Sequence, residues 1–481
     1  MTLPYHLINE MTLPEDFILY TKDLMGNKLF EELLQGLQET DPITSIRLNP
    51  FKLGQDKTFI IPDKTENVPW CKSGLYLNDR PNFTFDPLLH AGVYYAQEAS
   101  SMFLEQVIRQ VVTQPVTMLD LCAAPGGKST VARSVLPAGS LLFANEPIHT
   151  RSNILAENIM KFGHPDVIVT NNYPQDYKKS KLLFDVILAD VPCSGEGMFR
   201  KDKNAITEWS LLNVEKCRLL QRDIIKDIWD NLKYNGILIY STCTFNAKEN
   251  EENVEWITKE LGAEYIDISI DKNWKITPSL INNHPVYRFI PGKTKGEGLF
   301  MAVLRKTSGE MNTDSNRETK IRNKNKKKIQ TIPTYPDYLQ HADQYEFITD
   351  REQEIAIPKL WYPIYAKTRN SLKILQAGIT LGTTKGKDLI PDQSLALSIA
   401  LNRNHFPNIE MNYDEAIAYL RKEPVTLPSN SPKGFTLLTY HNIPLGWEKN
   451  IGNRANNLYP QEWKIKSSHI PEGNNNVIVF N

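Results

Sequence analysis

The 481-residue chain has no apolar run approaching the ~20 residues that a membrane-spanning helix requires. Its opening, MTLPYHLINEMTLP, lacks the basic, apolar and small-residue succession of a secretory signal. Cysteine is scarce: five residues, an odd number, with no C-x-x-C pair. That argues against a disulfide scaffold and against a zinc site, and a reducing cytoplasm is the expected location. Neither sign of charge dominates. The 55 Lys and Arg against 56 Asp and Glu leave a net charge of −1, which disfavours a protein built mainly to coat nucleic acid but leaves room for a local basic groove. What remains is an ordinary globular composition, 41% hydrophobic and 23% charged, long enough for two to four domains.

The stretch from Met118 to Cys243 holds the chemistry-bearing pattern. Met118–Leu119–Asp120–Leu121 reads as a strand feeding Cys122–Ala123–Ala124–Pro125–Gly126–Gly127–Lys128–Ser129, with a helical pattern after it. Paired glycines behind a strand permit a tight turn and close approach of backbone to a ligand, and the next helix offers its free N–H groups there. Cys122 stands where the phosphate loop GxxxxGK[ST] requires its first glycine, and the spacing is not GxGxxG, so the loop suits a nucleoside better than a triphosphate. Phe184–Asp190 is a second buried-strand run ending on a carboxylate, with Pro192–Cys193 just beyond. Gly236–Thr242 is a third, with Cys243 at its end. Ligands of open α/β sheets sit outside the carboxyl ends of the strands, so both thiols are expected to face one crevice, with Asp190 between them and the nucleoside. Glu146 ends the strand after the glycine loop, 20 residues past Gly126, where an acidic residue can bond both ribose hydroxyls.

The segments DLCAAPGGK, DVPCSG and YSTCT resemble the signature set of the Nop/Sun family of RNA cytosine-C5 methyltransferases. VYYAQEASSM (93–102), SGEGMFRKD (194–202) and GEGLFMAV (296–303) resemble its bacterial branch, which modifies 16S ribosomal RNA. The resemblance implies an α/β, Rossmann-like, seven-stranded core that binds S-adenosyl-L-methionine through Cys122, Ala123, Ala124, Pro125, Gly126, Gly127, Lys128, Glu146, Asn171 and Asp190. It further implies that Cys243 is the attacking nucleophile, that Asp190 holds the pyrimidine edge, and that Cys193 assists product release. The C5 carbon of cytosine is too weak a nucleophile to take a methyl group from a sulfonium unaided; a thiolate adding to C6 makes it enamine-like. One position departs from the pattern. Many members carry an adenine-contacting aspartate after the third strand, and here Asn171–Asn172–Tyr173 stands instead. A Pro-Cys motif alone would also fit a DNA cytosine methyltransferase, but two thiols at two strand ends, without a long target-recognition insertion, favour RNA. Two rivals stay open: methylation of transfer RNA, and a non-catalytic RNA-binding assembly factor.

Along the chain, the expected divisions are an N-terminal RNA-binding adaptor (1–85), the methyltransferase core (86–306), a basic linker (307–335) and a C-terminal PUA-like RNA-binding region (336–481). Apolar residues at helical spacing, Phe17 to Leu37, predict helix before Thr44, and SIRLNPFK predicts a short strand. Tyr94 to Met102 is expected to open a helix continuing through Val107 and Val111, and 214–234 to form another. Residues 285–306 read as a hairpin completing the sheet. RETKIRNKNKKK (317–328) carries seven basic side chains and one acidic one, as a solvated linker or a phosphate-contacting tether. Arg200, Lys201 and Lys203 are placed to meet the phosphates flanking a target base. Short β runs around 434–447 predict a small barrel resembling the PUA-like regions of the bacterial branch, including Lys449, Asn457 and Tyr459–Pro460. The expected partner is RNA, with no metal and no membrane, and the protein is expected to be a monomer.

Overall fold

The computed structural model describes residues 12–38, 42–53, 58–309, 336–386, 388–467, 471 and 473–480; the basic run at 317–328 lies outside them. The apolar runs of the core become strands β1 (Thr117–Asp120), β2 (Leu141–Asn145), β3 (Val167–Thr170), β4 (Phe184–Asp190) and β5 (Leu232–Thr242), all mutually parallel. They are followed by β6 (Ala263–Tyr265), β7 (Val286–Phe289), β8 (Leu299–Lys306) and β9 (Ile374–Ala377). The spatial order is β6-β8-β5-β4-β1-β2-β3-β9, with β7 also paired to β8. The predicted hairpin is present: β7 and β8 are antiparallel, with Phe289 opposite Leu299.

Nine strands form this sheet, where seven were expected, because both edges are shared. One flank of β8 is divided between β7 near its start and β6 near its end. At the opposite edge, β9 comes from beyond residue 336 and pairs antiparallel with β3. An edge strand exposes unpaired N–H and C=O groups, and β9 satisfies those of β3.

Side chains alternate across the sheet as the period of two demands. Met118, Leu142, Ala144, Val186, Leu188 and Ile239 join the core beneath helices Leu104–Val111, Gly127–Val135 and His149–Phe162. Leu119, Leu141, Phe143, Ile187, Ala189 and Tyr240 face the other way, against helix Leu211–Ile228 and, from the C-terminal region, Tyr365 and Leu372. Burial on both faces is why these strands read as nearly unbroken apolar runs.

Two expected elements differ. Tyr94–Ala96 is a strand, not the start of a helix: it pairs with Ser45–Leu48 in a four-stranded N-terminal sheet, and helix follows only after a 3₁₀ turn at Ser100–Phe103. Backbone partners across that sheet outweigh the local apolar spacing. The helix expected over 214–234 ends at Ile228, since Leu232 already belongs to β5. The register there shifts between Leu232 and Ile237, around Asn235 in a left-handed conformation.

The two ends of the chain meet. Ile46, Leu75, Leu77 and Leu88 share one core with Ala416, Ile417, Leu420, Leu438 and Leu445. Asp86 accepts from Leu88 N, from the Tyr94 hydroxyl and from Val477 N, and the Tyr413 hydroxyl donates to the Phe85 carbonyl. The β runs of the C-terminal region form two four-stranded sheets. Among the described residues, no helix is long and apolar enough to cross a membrane.

Helix Glu15–Gln38, broken at Gly26, packs Phe17, Leu33 and Leu37 against Phe199, Trp209, Phe245 and Ile290. Its closest approach is at Gly36, where an added Cβ would lie 2.2 Å from the Gly292 backbone nitrogen. Backbone cannot give way as a flexible side chain can. Gly36→Ala is therefore expected to destabilise the protein by about 1–3 kcal/mol, read as a lowered urea midpoint; an unchanged midpoint would mean that the helix recedes without cost.

Candidate active site

The register of β4 on β5 sets Asp190 opposite Ser241. From that common level the chain continues three residues to Cys193 and two to Cys243, and the thiols meet with Sγ–Sγ 3.2 Å. Both are partly exposed. Asp190 Oδ1 accepts from the Ser241 hydroxyl at 2.7 Å and Oδ2 from Lys128 Nζ at 2.8 Å. Burial lowers the Lys128 ammonium, but Asp190 outweighs it and holds the group above its ordinary range. The Cys193 thiol is pushed well up, first by its hydrogen bond to Cys243 and then by burial.

A buried polar frame stands behind the thiols. Glu196 Oε2 accepts from the backbone N–H groups of Phe245 and Asn246, and Oε1 from Trp209 Nε1 and Asn246 Nδ2. Glu249 accepts from Ser194 N, Gln221 Nε2 and Asn246 Nδ2, and burial pushes its carboxyl up to about 7. The Gly197 N–H donates to the Cys243 carbonyl at 2.8 Å. The bonds of Glu196 to Phe245 and Asn246, of Ser194 to Glu249 and of Gly197 to Cys243 tie the Cys193 loop to the segment around and after Cys243. Glu196, Asn246, Glu249 and Ser241 were not picked out as site residues from the sequence. Glu196 lies within SGEGMFRKD, but nothing local marks it as buried.

A cleft of about 350 Å³ opens on this centre, lined by Cys122, Ala123, Ala124, Pro125, Gly127, Lys128, Asp190 and Cys243, and on its other wall by Gln97, Met198, Lys201 and Glu297. Gly126, at φ 114°, turns the chain into helix Gly127–Val135. The remaining expected residues surround the cleft without lining it. Cys193 stands behind Cys243. Glu146, at the end of β2, is buried; its Oε1 accepts from Ile148 N at 3.0 Å and its Oε2 makes no hydrogen bond among the described residues, with Arg151 Nη1 3.5 Å away. Asn171, after β3, donates to the carbonyls of Glu146 and Pro147 and accepts from Lys373. A buried carboxylate oxygen left without a donor beside a glycine loop fits the two ribose hydroxyls of a nucleoside cofactor.

Cys122 is held as a thiol by burial and by neighbouring Asp120, which leaves it no nucleophilic part. Arg200 is not available to phosphates as expected. It is buried in an ion pair with Glu297, at 2.9 Å, and donates to the Gly36 and Gly296 carbonyls, because a guanidinium this deep must have its donors met. Lys201 and Lys203 remain exposed, and Lys201 stands at the cleft.

Asp120 was overlooked, though a carboxylate ending the strand before the glycine loop was visible in MLDLC. It is fully buried; Oδ2 accepts from the Ser129 hydroxyl at 2.6 Å, Oδ1 has no hydrogen-bond partner among the described residues, and burial pushes the carboxyl up to about 7. The fold thus favours the protonated form. Its stability is undiminished below the unfolded carboxyl range near 4 and declines as pH rises through 7. Asp120→Asn is expected to be more stable than wild type at pH 8, by about 2–4 kcal/mol, with the gap closing near pH 4. Denaturant midpoints measured across that range check this, and a gap independent of pH would contradict it.

Three family models match the chain in order: the N-terminal domain of 16S rRNA methyltransferase RsmF over residues 13–99, 16S rRNA methyltransferase RsmB/F over 111–305, and the methyltransferase RsmF PUA domain over 406–465. The chain is 26% identical over 473 residues to ribosomal RNA small subunit methyltransferase F of Enterobacter sp. (strain 638), covering 94% of this chain and 96% of that one. Over 309 residues it is 32% identical to the protein of the same name from Pectobacterium atrosepticum, covering 62% and 63%. A methyltransferase homolog protein from Pyrococcus horikoshii shares the fold, with a TM-score of 0.51 at 22% identity over 62% of this chain and 96% of that one. With a strand-end glycine loop, a carboxylate fit for ribose and this set of matches, the chain belongs to the RsmB/F family of S-adenosylmethionine-dependent RNA methyltransferases.

Proposed function

We propose that this protein methylates C5 of a cytosine in 16S ribosomal RNA, through a covalent bond between Cys243 and C6 of the base. The observation that carries this reading is the contact of two thiols at 3.2 Å beside a strand-end carboxylate. S-adenosyl-L-methionine, when bound, supplies an electrophilic methyl group; the glycine loop Cys122–Lys128, Glu146, Asn171 and Asp190 are the residues proposed to hold it. In this reading Cys193, whose thiol is held well up, keeps its proton, and Cys243, which lines the cleft, is the sulfur that adds to C6. Asp190, fixed by Ser241 and Lys128, faces the pyrimidine edge as charge builds on the ring. After methylation C5 carries one hydrogen too many. Its removal as a proton by a water molecule acting as base restores the double bond as the C6–S bond breaks, and Cys193, in contact with the departing Cys243 sulfur, gives it a proton.

The 16S substrate is supported by the family descriptions and by the names of the relatives. Residues 1–85 and 336–481 are proposed to seat the RNA around the core 86–306, in a cytoplasmic monomer. A target base inside a helix must leave its stack to reach Cys243.

The test is methyl transfer from labelled S-adenosylmethionine to small ribosomal subunits that lack the modification. Cys243→Ala is expected to lose activity by roughly a thousandfold or more. Cys193→Ala is expected to accumulate a protein–RNA adduct visible on denaturing gels. Normal methylation by Cys243→Ala would refute the mechanism; label appearing only in transfer RNA would refute the substrate and spare the chemistry.

A further inference from the structure

The departure at Asn171 has a structural partner more than two hundred residues away. β9 enters the sheet beside β3 through a cluster of bonds at Lys373: the Asn171 N–H and the Asn172 side-chain amide both donate to the Lys373 carbonyl at 3.0 Å, and the Lys373 N–H donates to Asn172 Oδ1 at 3.0 Å. The Lys373 ammonium then donates to Asn171 Oδ1 at 2.8 Å. On its other side, Asn171 Nδ2 donates to the carbonyls of Glu146 and Pro147, both at 2.9 Å. An amide has the two N–H donors and the acceptor that this position uses. An aspartate there would turn acceptor oxygens toward two carbonyls and lose both bonds. Asparagine at 171 and lysine at 373 therefore form one device.

From this geometry we infer that Lys373 is a positioning residue for the cofactor: acting through Asn171, it fixes the Glu146–Pro147 turn and so aims the Glu146 oxygen that has no donor. The inference rests on the proposed reading of Glu146 as the ribose ligand. Its consequence is that the cofactor site is completed by the C-terminal region, whose strand closes the sheet edge at that site. Binding on either side of this junction is coupled to the other, since coupling between sites is reciprocal.

The probe is S-adenosylhomocysteine, titrated calorimetrically into the full-length chain. Lys373→Ala is expected to weaken binding about fivefold, the ordinary net effect of one solvent-exposed hydrogen bond, and Lys373→Arg to stay within about twofold of wild type. Asn171→Asp is expected to lose roughly tenfold or more, since two bonds go. In the double variant Lys373→Ala/Asn171→Ala, the loss should equal that of Asn171→Ala alone, because the lysine acts only through the asparagine. The KM for S-adenosylmethionine should rise by the same factor in Lys373→Ala, with kcat changing less and the KM for RNA within about twofold. Lys373 is exposed, so its replacement spares the core. Affinity unchanged in Lys373→Ala, or single losses that simply multiply in the double variant, would overturn the inference. Failure of the wild type to bind S-adenosylhomocysteine would overturn the cofactor reading and the inference with it.

Discussion

The parallel register of β4 on β5 is the constraint from which the rest of the site follows. Ile187 lies beside Leu238, Ala189 beside Tyr240 and Asp190 beside Ser241, so two strands separated by a long helix end at one level. The side-chain period of a strand is two, and a slip of one residue would exchange the faces. Tyr240, buried between Gln221 and the Glu249 carbonyl, would turn to the other side and Ser241 would leave Asp190. What holds the register is burial on both faces, with Ile187 and Ala189 in one core and Val186 and Leu188 in the other. The thiol contact is therefore set by the hydrophobic packing of the whole sheet, and Glu196 and Asn246 need only fix the loops within it.

Much of this was legible because it is local. The glycine loop, the strand-end carboxylate and the two thiols each follow an apolar run, and a run buried on both faces announces itself without a partner being known. What was not legible depends on partners far along the chain. Arg200 reads as a free cation until Glu297 and Gly36 are brought against it. Tyr94–Ala96 has the apolar spacing of a helix, and only the neighbouring Ser45–Leu48 makes it a strand. Nothing within residues 370–377 shows that they belong to the core sheet, because that pairing is set by the open edge of β3.

The flanking regions, which read as two independent attachments, share a core. With Ile46 and Leu88 packed among Ala416 and Leu438, neither can shed its partner without exposing apolar surface. The N-terminal region also reaches the catalytic loops: the Tyr20 hydroxyl accepts from Ala247 N, and the Gly36 carbonyl accepts from Arg200. The segment carrying Cys243 and its neighbouring loop are thus joined to the N-terminal flank by packed helix and hydrogen bonds. In the proposed reaction, RNA seated on the flanks and the attacking thiol belong to one mechanical unit.

Asp190 is where the two sides of that unit meet, and the hydrogen-bonding chemistry of a carboxylate limits what it can do. As a carboxylate it only accepts. It then suits the exocyclic amine of cytosine, a donor, but not the ring N3, which is itself an acceptor and grows more basic as Cys243 adds to C6 in the proposed reaction. The Lys128 ammonium, bonded to Asp190 Oδ2 and held above its ordinary range, keeps its proton and balances the carboxylate, while the Ser241 hydroxyl donates to Oδ1. In the proposed reaction the unit matched to the pyrimidine edge is therefore the Lys128–Asp190 pair: the carboxylate orients the exocyclic amine, and the ammonium supplies the balancing charge. A residue assigned to the cofactor loop from its place in the motif thereby serves the base as well.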